Sequence, residues 1–285
     1  MATPMIITKA DGTQEPFDSS KLIQSLTRAG AHPDVIQKVL AEIESSLTPG
    51  VSTKVIYRKA FSILRKLERR PAVRYSLRRA VMELGPSGFP FEKFIGEIFK
   101  EQGYTVVIGR TVQGHCIPHE VDVIAYSDTE LHLVEAKFHN NHGVKTDTKV
   151  ALYIKARFDD LKDAVINVGA KERTMTDGWL ITNTKFTRTA KQYASCQNLH
   201  IVGWNYPQQG NLHDLIVDAE LHPLTSLTTL SKGEKKLLLG QGIVLLKTIK
   251  RDPIPKTPNP TTPKPITEPP AKATSRAFPK DFLAA

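Results

Sequence analysis

Residues 119–126, HEVDVIAY, and residues 131–138, LHLVEAKF, set the architecture of this chain. In both runs apolar residues alternate with polar ones over about five to seven positions, which predicts two short β-strands. Side chains two positions apart lie on the same face of a strand, so Glu135 and Lys137 share a face. If the two strands are neighbours, Asp122 lies beside this pair, and two carboxylates and an ammonium converge at one edge of a sheet.

This combination of side chains has a specific chemical use. Carboxylate oxygens are hard ligands that suit Mg²⁺, which retains several waters and binds phosphate oxygens. A nearby lysine can hold a phosphate or polarise an attacking water, as hydrolysis of a phosphodiester requires. The same pattern also occurs on solvated strand faces. The apolar neighbours of the two acids (Val121, Val123 and Val134) favour a site, because charges in such strands are costly unless they are paired or bind a metal.

Composition indicates a soluble chain with a polyanionic partner. The 285 residues carry a net charge of +10 and have a pI of about 9.5, which favours nucleic acid as the partner. No apolar run approaches the roughly 20 residues that a membrane span needs, and the N-terminus MATPMIITKADG does not read as a secretory signal. The two cysteines form no disulfide framework. We therefore expect a cytoplasmic protein with no membrane association.

Residues 3–85 are expected to form a first, mostly helical unit. A β-hairpin turns at Asp11-Gly12, where glycine tolerates the positive φ that the turn needs. Four helices should follow, beginning at Asp18 or Ser19, after Pro33, after Ser52-Thr53 and at Pro71.

Residues 86–206 are expected to form a second, α/β unit. The pattern predicts a helix ending at Gly103, strands near 104–110, 120–126 and 130–138, a helix over about 147–166, a strand at 179–183, a helix at 187–196 and a last strand at 200–204. This order implies a mixed sheet with helices on both faces. The fold class is thus α/β, in a multi-domain chain.

The remainder of the chain should hold a small helical segment and a tail. In residues 212–250 the glycines Gly240 and Gly242 indicate either a helix-hairpin-helix turn or an ordinary helical cap. Residues 251–285 contain nine of the nineteen prolines, mixed with Thr and Lys, and should be disordered.

The first unit resembles the ATP-cone, the nucleotide-binding regulatory domain of many ribonucleotide reductase large subunits. The resemblance covers residue 5 to about residue 83 and is carried by Ile7-Thr8-Lys9, the Asp11-Gly12 turn, Pro16-Phe17-Asp18 and Lys21-Leu22. It implies that Ile7, Lys9 and Lys21 bind ATP or dATP, the lysines through the triphosphate. A homo-oligomer formed through the cone is a further implication. The family usually has an arginine where Ala10 stands.

An arginine row follows Pro71 within the same unit. Arg70, Arg74 and Arg78 are spaced four residues apart, so they lie along one face of a helix. The guanidinium group of arginine can form two hydrogen bonds to one phosphate at the same time. The row is interpreted either as part of the nucleotide site, or as a contact for the DNA backbone, or as a solvated face.

The second unit resembles the PD-(D/E)xK nucleases, especially the Mrr-like restriction endonucleases. FPFEKFIGEIF (89–99), the two strands quoted above, and WLITNTKFTRTAKQYAS (179–195) followed by IVGW (201–204) carry the resemblance. It implies that Asp122 and Glu135 bind Mg²⁺ and that Lys137 serves the water or the phosphate. The family's proline before the aspartate is replaced here by Val121.

The resemblance also assigns supporting residues. Glu92 matches the acidic residue of the first helix, with Glu97 as its competitor, and Glu120 is a further acid that could assist. In a chain that fuses the two families, Lys155 and Arg157 would lie on a helix beside the active site and contact DNA.

Histidines are dense around this site. His115, His119, His132, His139 and His142, together with Cys116, permit a zinc site, but their spacing is loose and favours a role in lining the DNA cleft or bonding within loops.

The sequence therefore predicts a Mg²⁺-dependent DNA endonuclease whose cone binds ATP or dATP. Two alternatives remain open. One is a nucleotide-sensing DNA-binding regulator with an inactive nuclease fold, and the other is a structure-selective repair nuclease.

Overall fold

A computed structural model describes residues 5–141 and 143–249. The first unit opens with strands β1 (Ile6–Thr8) and β2 (Gln14–Pro16), which pair as the predicted hairpin, and β1 also pairs in parallel with β3 (Val51–Ser52). Its helices are α1 (Ser19–Arg28), α2 (Pro33–Glu44), α3 (Thr53–Leu67) and α4 (Arg69–Met82). Strand β3 was not predicted, because a strand of two residues carries no alternation that a pattern can reveal.

The sequence determines the helix starts of this unit locally. The side chains of Asp18 and Ser52 accept hydrogen bonds from backbone N–H groups of the first turns of α1 and α3. Gly30, at a φ of 77°, follows α1. Helix α4 begins two residues before Pro71, which occupies the first turn, where its missing N–H has no partner to lose.

The second unit is built around a five-stranded sheet. Its elements are α5 (Phe89–Glu101), β4 (Thr105–Gln113), β5 (Pro118–Tyr126), β6 (Leu131–Lys137), β7 (Lys145–Thr146), α6 (Thr148–Leu161), β8 (Ile166–Val168), β9 (Lys171–Arg173), β10 (Asp177–Thr182), β11 (Lys185–Phe186), α7 (Arg188–Cys196) and β12 (His200–Val202). The strand order is β12-β10-β6-β5-β4. Neighbours β4, β5 and β6 are antiparallel, whereas β6, β10 and β12 are parallel.

Apolar residues on the two faces of this sheet face different helices. Val123, Val134 and Ile181 belong to a cluster with α5, whereas Ile124, Leu133 and Leu180 pack with α6 and α7. The predicted mixed sheet with helices on both faces, and with it the α/β fold class, is confirmed. The helix predicted over 147–166 ends earlier, at Leu161, because the chain turns into the short hairpin of β8 and β9.

The C-terminal segment contains α8 (Leu212–Asp218), a 3-10 turn (Leu224–Ser226), α9 (Lys232–Gly240) and α10 (Leu246–Ile249). After α9 the N–H of Gly242 bonds to the carbonyl of Leu239, and the N–H of Ile243 bonds to that of Leu238. This is the hydrogen-bond pattern of an ordinary C-terminal cap with glycine at positive φ, so Gly242 forms a cap, whereas Gly240 is the last residue of α9. The predicted tail at 251–285 lies outside the described residues.

This segment does not pack by itself. Its buried residues (Leu212, Ile216, Leu221, Leu224, Leu238, Leu239, Val244 and Leu245) share one core with α4, α5 and a face of the sheet. Within residues 5–141 and 143–249, no helix combines the length and the apolar character that crossing a membrane requires.

Candidate active site

Strands β5 and β6 separate where the predicted acids lie. Their register ends at the pair Val123 and Val134. Beyond it the Asp122 Oδ2 atom accepts a hydrogen bond from the Ala136 backbone N–H at 2.7 Å, in place of a strand partner. The side chain of Asp122 is thereby held next to Glu135 and Lys137. The structure thus brings together the three residues that the sequence singled out.

Glu135 faces helix α6 and meets Arg157 there. The Arg157 Nη1 atom donates to Glu135 Oε2 at 2.7 Å, and the two side chains are only 14% and 17% exposed, respectively. The same guanidinium donates from Nη2 to the backbone carbonyl of Glu120 on β5. Arg157 therefore ties α6 to both strands of the site.

Burial sets the protonation of the acids. Burial and then the negative charge of Asp122 raise the pKa of Glu135, Arg157 and Lys137 act in the opposite direction, and the net pKa is about 7. Burial also raises the pKa of Asp122, against the lowering effects of the Ala136 N–H and Arg157. The site thus holds two desolvated carboxylates that a cation would stabilise.

Of the two candidate acids on α5, Glu92 is the one near this pair. Burial, followed by the charges of Asp122 and Glu120, raises the pKa of Glu92 to about 7. Glu97 instead pairs with Lys100 at 2.7 Å on the same helix. Glu120 is exposed on β5, and its charge also raises the pKa of Asp122.

Lys137 ends β6 and is exposed. Its positive charge lowers the pKa of both Asp122 and Glu135, so the ammonium acts on the two carboxylates from the open side of the site. A substrate phosphate that approached them would meet this ammonium as well.

The donors present suit Mg²⁺ in number and kind. Within the described ranges 5–141 and 143–249, no set of three or more His, Cys, Asp or Glu side chains is arranged as a metal site. Mg²⁺ needs only one or two protein carboxylates when waters and substrate phosphate fill its remaining positions. Asp122 and Glu135 each use one oxygen in the bonds described above, which leaves the other oxygen of each carboxylate for a metal.

In the first unit the residues proposed for nucleotide binding converge on one carboxylate. Lys9 and Lys21 both pair with Glu15 of β2, at 2.6 and 3.1 Å. The side chain of Ile7 is 5% exposed and belongs to the core of the helices, so only its backbone could contact a ligand.

Comparison with known proteins finds two domains in this chain. A family model described as ATP cone domain matches residues 5–81, and one described as restriction endonuclease, of the Mrr catalytic type, matches residues 85–206. The chain joins an ATP cone to an Mrr-type restriction endonuclease domain. It belongs to one family with an uncharacterized protein of Archaeoglobus fulgidus, which is 33% identical over 155 residues, 54% of this chain and 83% of that protein.

Two solved structures are similar in part. A crystal structure of a protein of unknown function has 32% identity and a TM-score of 0.49, over 57% of this chain and 83% of that one. The MspJI restriction endonuclease, in complex with a 27-mer oligonucleotide, has 14% identity and a TM-score of 0.28, over 68% of this chain and 45% of that one.

Within the endonuclease domain, the two residues predicted to bind DNA both form ion pairs with carboxylates of this chain. Arg157 pairs with Glu135, and Lys155 pairs with Asp159 one turn further along α6. A contact of either residue with DNA stays a prediction. The pairing of Arg157 with a site carboxylate was missed, because the sequence alone does not show which face of α6 lies against the sheet.

The histidines occupy separate environments. His119 pairs with Asp160 at 2.8 Å, and His139 bonds to Thr146 at 2.9 Å. His132 is buried against aromatic rings, and His142 lies outside the described residues. His115, Cys116 and His119 line a cleft of about 720 Å³ that Arg157 also borders. The cleft adjoins the site through Arg157, the partner of Glu135, and a role of His115 and His119 in lining a DNA cleft stays a prediction.

Proposed function

We propose that this protein is a Mg²⁺-dependent endodeoxyribonuclease whose activity responds to ATP or dATP bound to its cone. The observation that carries the proposal is the position of Asp122 and Glu135. Two half-buried carboxylates lie side by side where β5 and β6 separate. Burial raises the pKa of both, the negative charge of Asp122 adds to this at Glu135, and the positive charge of Lys137 acts on both in the opposite direction.

Each residue has a distinct task in this proposal. Asp122 and Glu135 would hold Mg²⁺, which when bound supplies positive charge to the phosphate and activates water. Lys137 would place its ammonium against the phosphate or the attacking water as negative charge develops. Glu92, with a pKa of about 7, is suited to accept a proton or to hold the water shell of the metal near neutral pH.

Physical contacts connect the cone to this site. The side chain of Asn183 accepts a hydrogen bond from the His139 backbone N–H and donates to the His139 carbonyl and to the sulfur of Met82 on α4. His139 follows Lys137 by two residues. A shift of α4 in the cone would therefore act on the loop that leaves the active site.

One observation favours the rival function. Arg157 already neutralises Glu135, as it would in a nuclease fold that binds DNA without cutting it. A nucleotide-sensing DNA-binding regulator is therefore the second candidate.

Plasmid cleavage with Mg²⁺ or with a chelator tests the proposal, using wild type and Asp122→Asn, each without nucleotide and with ATP or dATP. We expect Mg²⁺-dependent cutting that Asp122→Asn abolishes and that nucleotide changes. The assay includes methylated plasmids and branched substrates, since a structure-selective repair nuclease would cut the branched DNA preferentially. No cutting of any substrate by wild type would favour the regulator.

A further inference from the structure

The cone and the endonuclease domain touch at the tip of the β1–β2 hairpin. A Cβ atom placed on Gly143 would lie 3.2 Å from the Cβ of Asp11 and 3.3 Å from its Cα and backbone nitrogen. Gly143 belongs to the loop that leads from Lys137 to β7. The turn next to the proposed phosphate ligand Lys9 therefore rests on a loop of the endonuclease domain.

Positive charges collect on both sides of this contact. Lys145 of β7 and Lys185 of β11 are direct register partners, and both are exposed. Like charges placed opposite each other repel. Loss of solvation, and then the nearby charges of Arg78, Lys145, Lys9 and Lys191, lower the pKa of Lys185. Cations from the cone and from the endonuclease domain thus act on one another.

Carboxylates do not balance this cluster. Glu15 is shared between Lys9 and Lys21 of the cone, Asp18 lies 3.9 Å from Lys21, and the charge of Asp11 acts on Lys9. In the part of the chain that the structure describes, no Asp or Glu forms an ion pair with Lys145 or Lys185. An accessible group of cations that exceeds its carboxylates is a place for a multiply charged anion, whose binding would remove the repulsion.

We propose that Lys145 and Lys185 of the endonuclease domain complete the phosphate site of the cone, so that the triphosphate of a bound nucleotide bridges the two domains. The inference rests on the proposed binding of nucleotide by the cone. Lys9 and Lys21 hold the phosphates from the cone side, and Lys145 and Lys185 hold them from the opposite side. The number of phosphates on the nucleotide then determines how strongly the cone is held against the loop that follows Lys137.

Nucleotide titrations of the full chain test this, by calorimetry with ATP and with AMP. The variants are Lys145→Gln and Lys185→Gln, and the matched control is Lys171→Gln, an exposed lysine of the same domain that pairs with Asp128. We expect each test variant to bind ATP about tenfold more weakly, the usual order for one hydrogen-bonded charge. AMP binding should stay within about twofold of wild type, because the remote phosphates are missing. The control should behave as wild type with both nucleotides.

The rise in melting temperature caused by ATP provides a second readout, since a ligand that binds the folded state stabilises it by mass action. It should be smaller in both test variants. Unchanged ATP affinity in Lys145→Gln and Lys185→Gln would overturn the inference and leave nucleotide binding by the cone standing. If wild type bound no nucleotide, both the bridging inference and the proposed nucleotide binding by the cone would be wrong. A loss of DNA affinity without a loss of ATP affinity would assign the cations to the DNA backbone and would also overturn the inference.

Discussion

Arg157 acts on the charge of Glu135 by direct contact, because its guanidinium donates to that carboxylate at 2.7 Å. The ion pair lowers the pKa of Glu135 against the effect of burial. Replacing Arg157 by leucine removes this effect, so the pKa rises and the carboxylate ionises only at higher pH. We expect the acidic limb of the pH profile for DNA cleavage to move up by about one pH unit.

Single-turnover cleavage at a series of pH values measures this shift. Arg173→Leu is the matched control, since Arg173 donates to the carbonyl of Asp128 rather than to a site acid. A profile for Arg157→Leu that coincides with that of wild type would mean that ionisation of Glu135 does not limit the reaction.

Glu92 illustrates the cost of keeping an acid in this position. Its pKa in the folded protein is about 7, above the ordinary value of 4.5, so the folded state binds its proton more tightly than the unfolded state does. The free energy of unfolding therefore falls as pH rises from about 4.5 to about 7, and the whole contribution of the protonated Glu92 is lost above that range. Glu92→Gln removes the charge and should stabilise the protein at pH 8 by on the order of 1 kcal/mol, after allowance for solvent screening.

Urea denaturation at pH 8 and pH 5 provides the measurement for Glu92→Gln. The gain in stability should be present at pH 8 and nearly absent at pH 5, where wild-type Glu92 is mostly protonated in the folded state. An equal gain at both pH values would show that its charge is not the cause.

At the level of elements, Asn183 joins the end of β10 to α4 and to the loop after β6. Its side chain is fully buried and bonds to both backbone groups of His139 at 2.8 Å. Alanine at this position leaves these groups unsatisfied, and we expect a loss of roughly 2–4 kcal/mol in the free energy of unfolding. Asn140→Ala is the control. Asn140 is exposed and makes one bond, to the carbonyl of Pro86 at 3.1 Å, so it should cost less than about 1 kcal/mol.

Chemical denaturation of both variants tests this prediction, and cleavage with and without ATP adds a functional readout. Asn183→Ala should also weaken the effect of nucleotide on cleavage, because it cuts the contact with Met82 of the cone. Equal stabilities of the two variants would contradict the role assigned to Asn183.

The sequence pattern predicted some of these elements and their positions, but not all of them. Alternation of apolar and polar residues predicted β5 and β6 and placed Glu135 and Lys137 on one face, because a period of two fixes which side chains share a face. The position of Asp122 beside them depended on the pairing of the two strands, which alternation does not show. Periodicity could not choose between Glu92 and Glu97, which lie about 140° apart around one helix, since the choice depends on how α5 packs on the sheet. The pairing of β7 with β11 was equally hidden, because strands of two residues leave no pattern and their register is set by distant parts of the chain.

For the whole molecule, the C-terminal segment is the feature that unites the cone and the sheet. It contributes to the core that contains α4 and α5, and the Thr225 hydroxyl donates to the carbonyl of Ala80 on α4. A chain ending at residue 211 would expose apolar surface on both domains. We expect it to be insoluble or to melt at least about 10 °C lower, since the loss of several buried leucines removes many kcal/mol.

A chain ending at residue 249 retains this core and should melt as the full chain does. Thermal unfolding of the two truncated proteins, followed by circular dichroism, provides the comparison. A chain ending at residue 211 that melts at the temperature of the full chain would show that the segment is not part of the common core.

The central claim is that Asp122, Glu135 and Lys137 form a phosphodiesterase site. Its most direct test is the rate at which supercoiled plasmid is cut in Mg²⁺ by wild type, by Lys137→Met and by Lys162→Met, the last replacing an exposed lysine at the far end of α6. Lys137→Met should lower the rate by about 10²–10³-fold with no loss of folded structure, because the transition state loses a positive charge, whereas Lys162→Met should cut as wild type does. Cutting by Lys137→Met at the wild-type rate would contradict the claim.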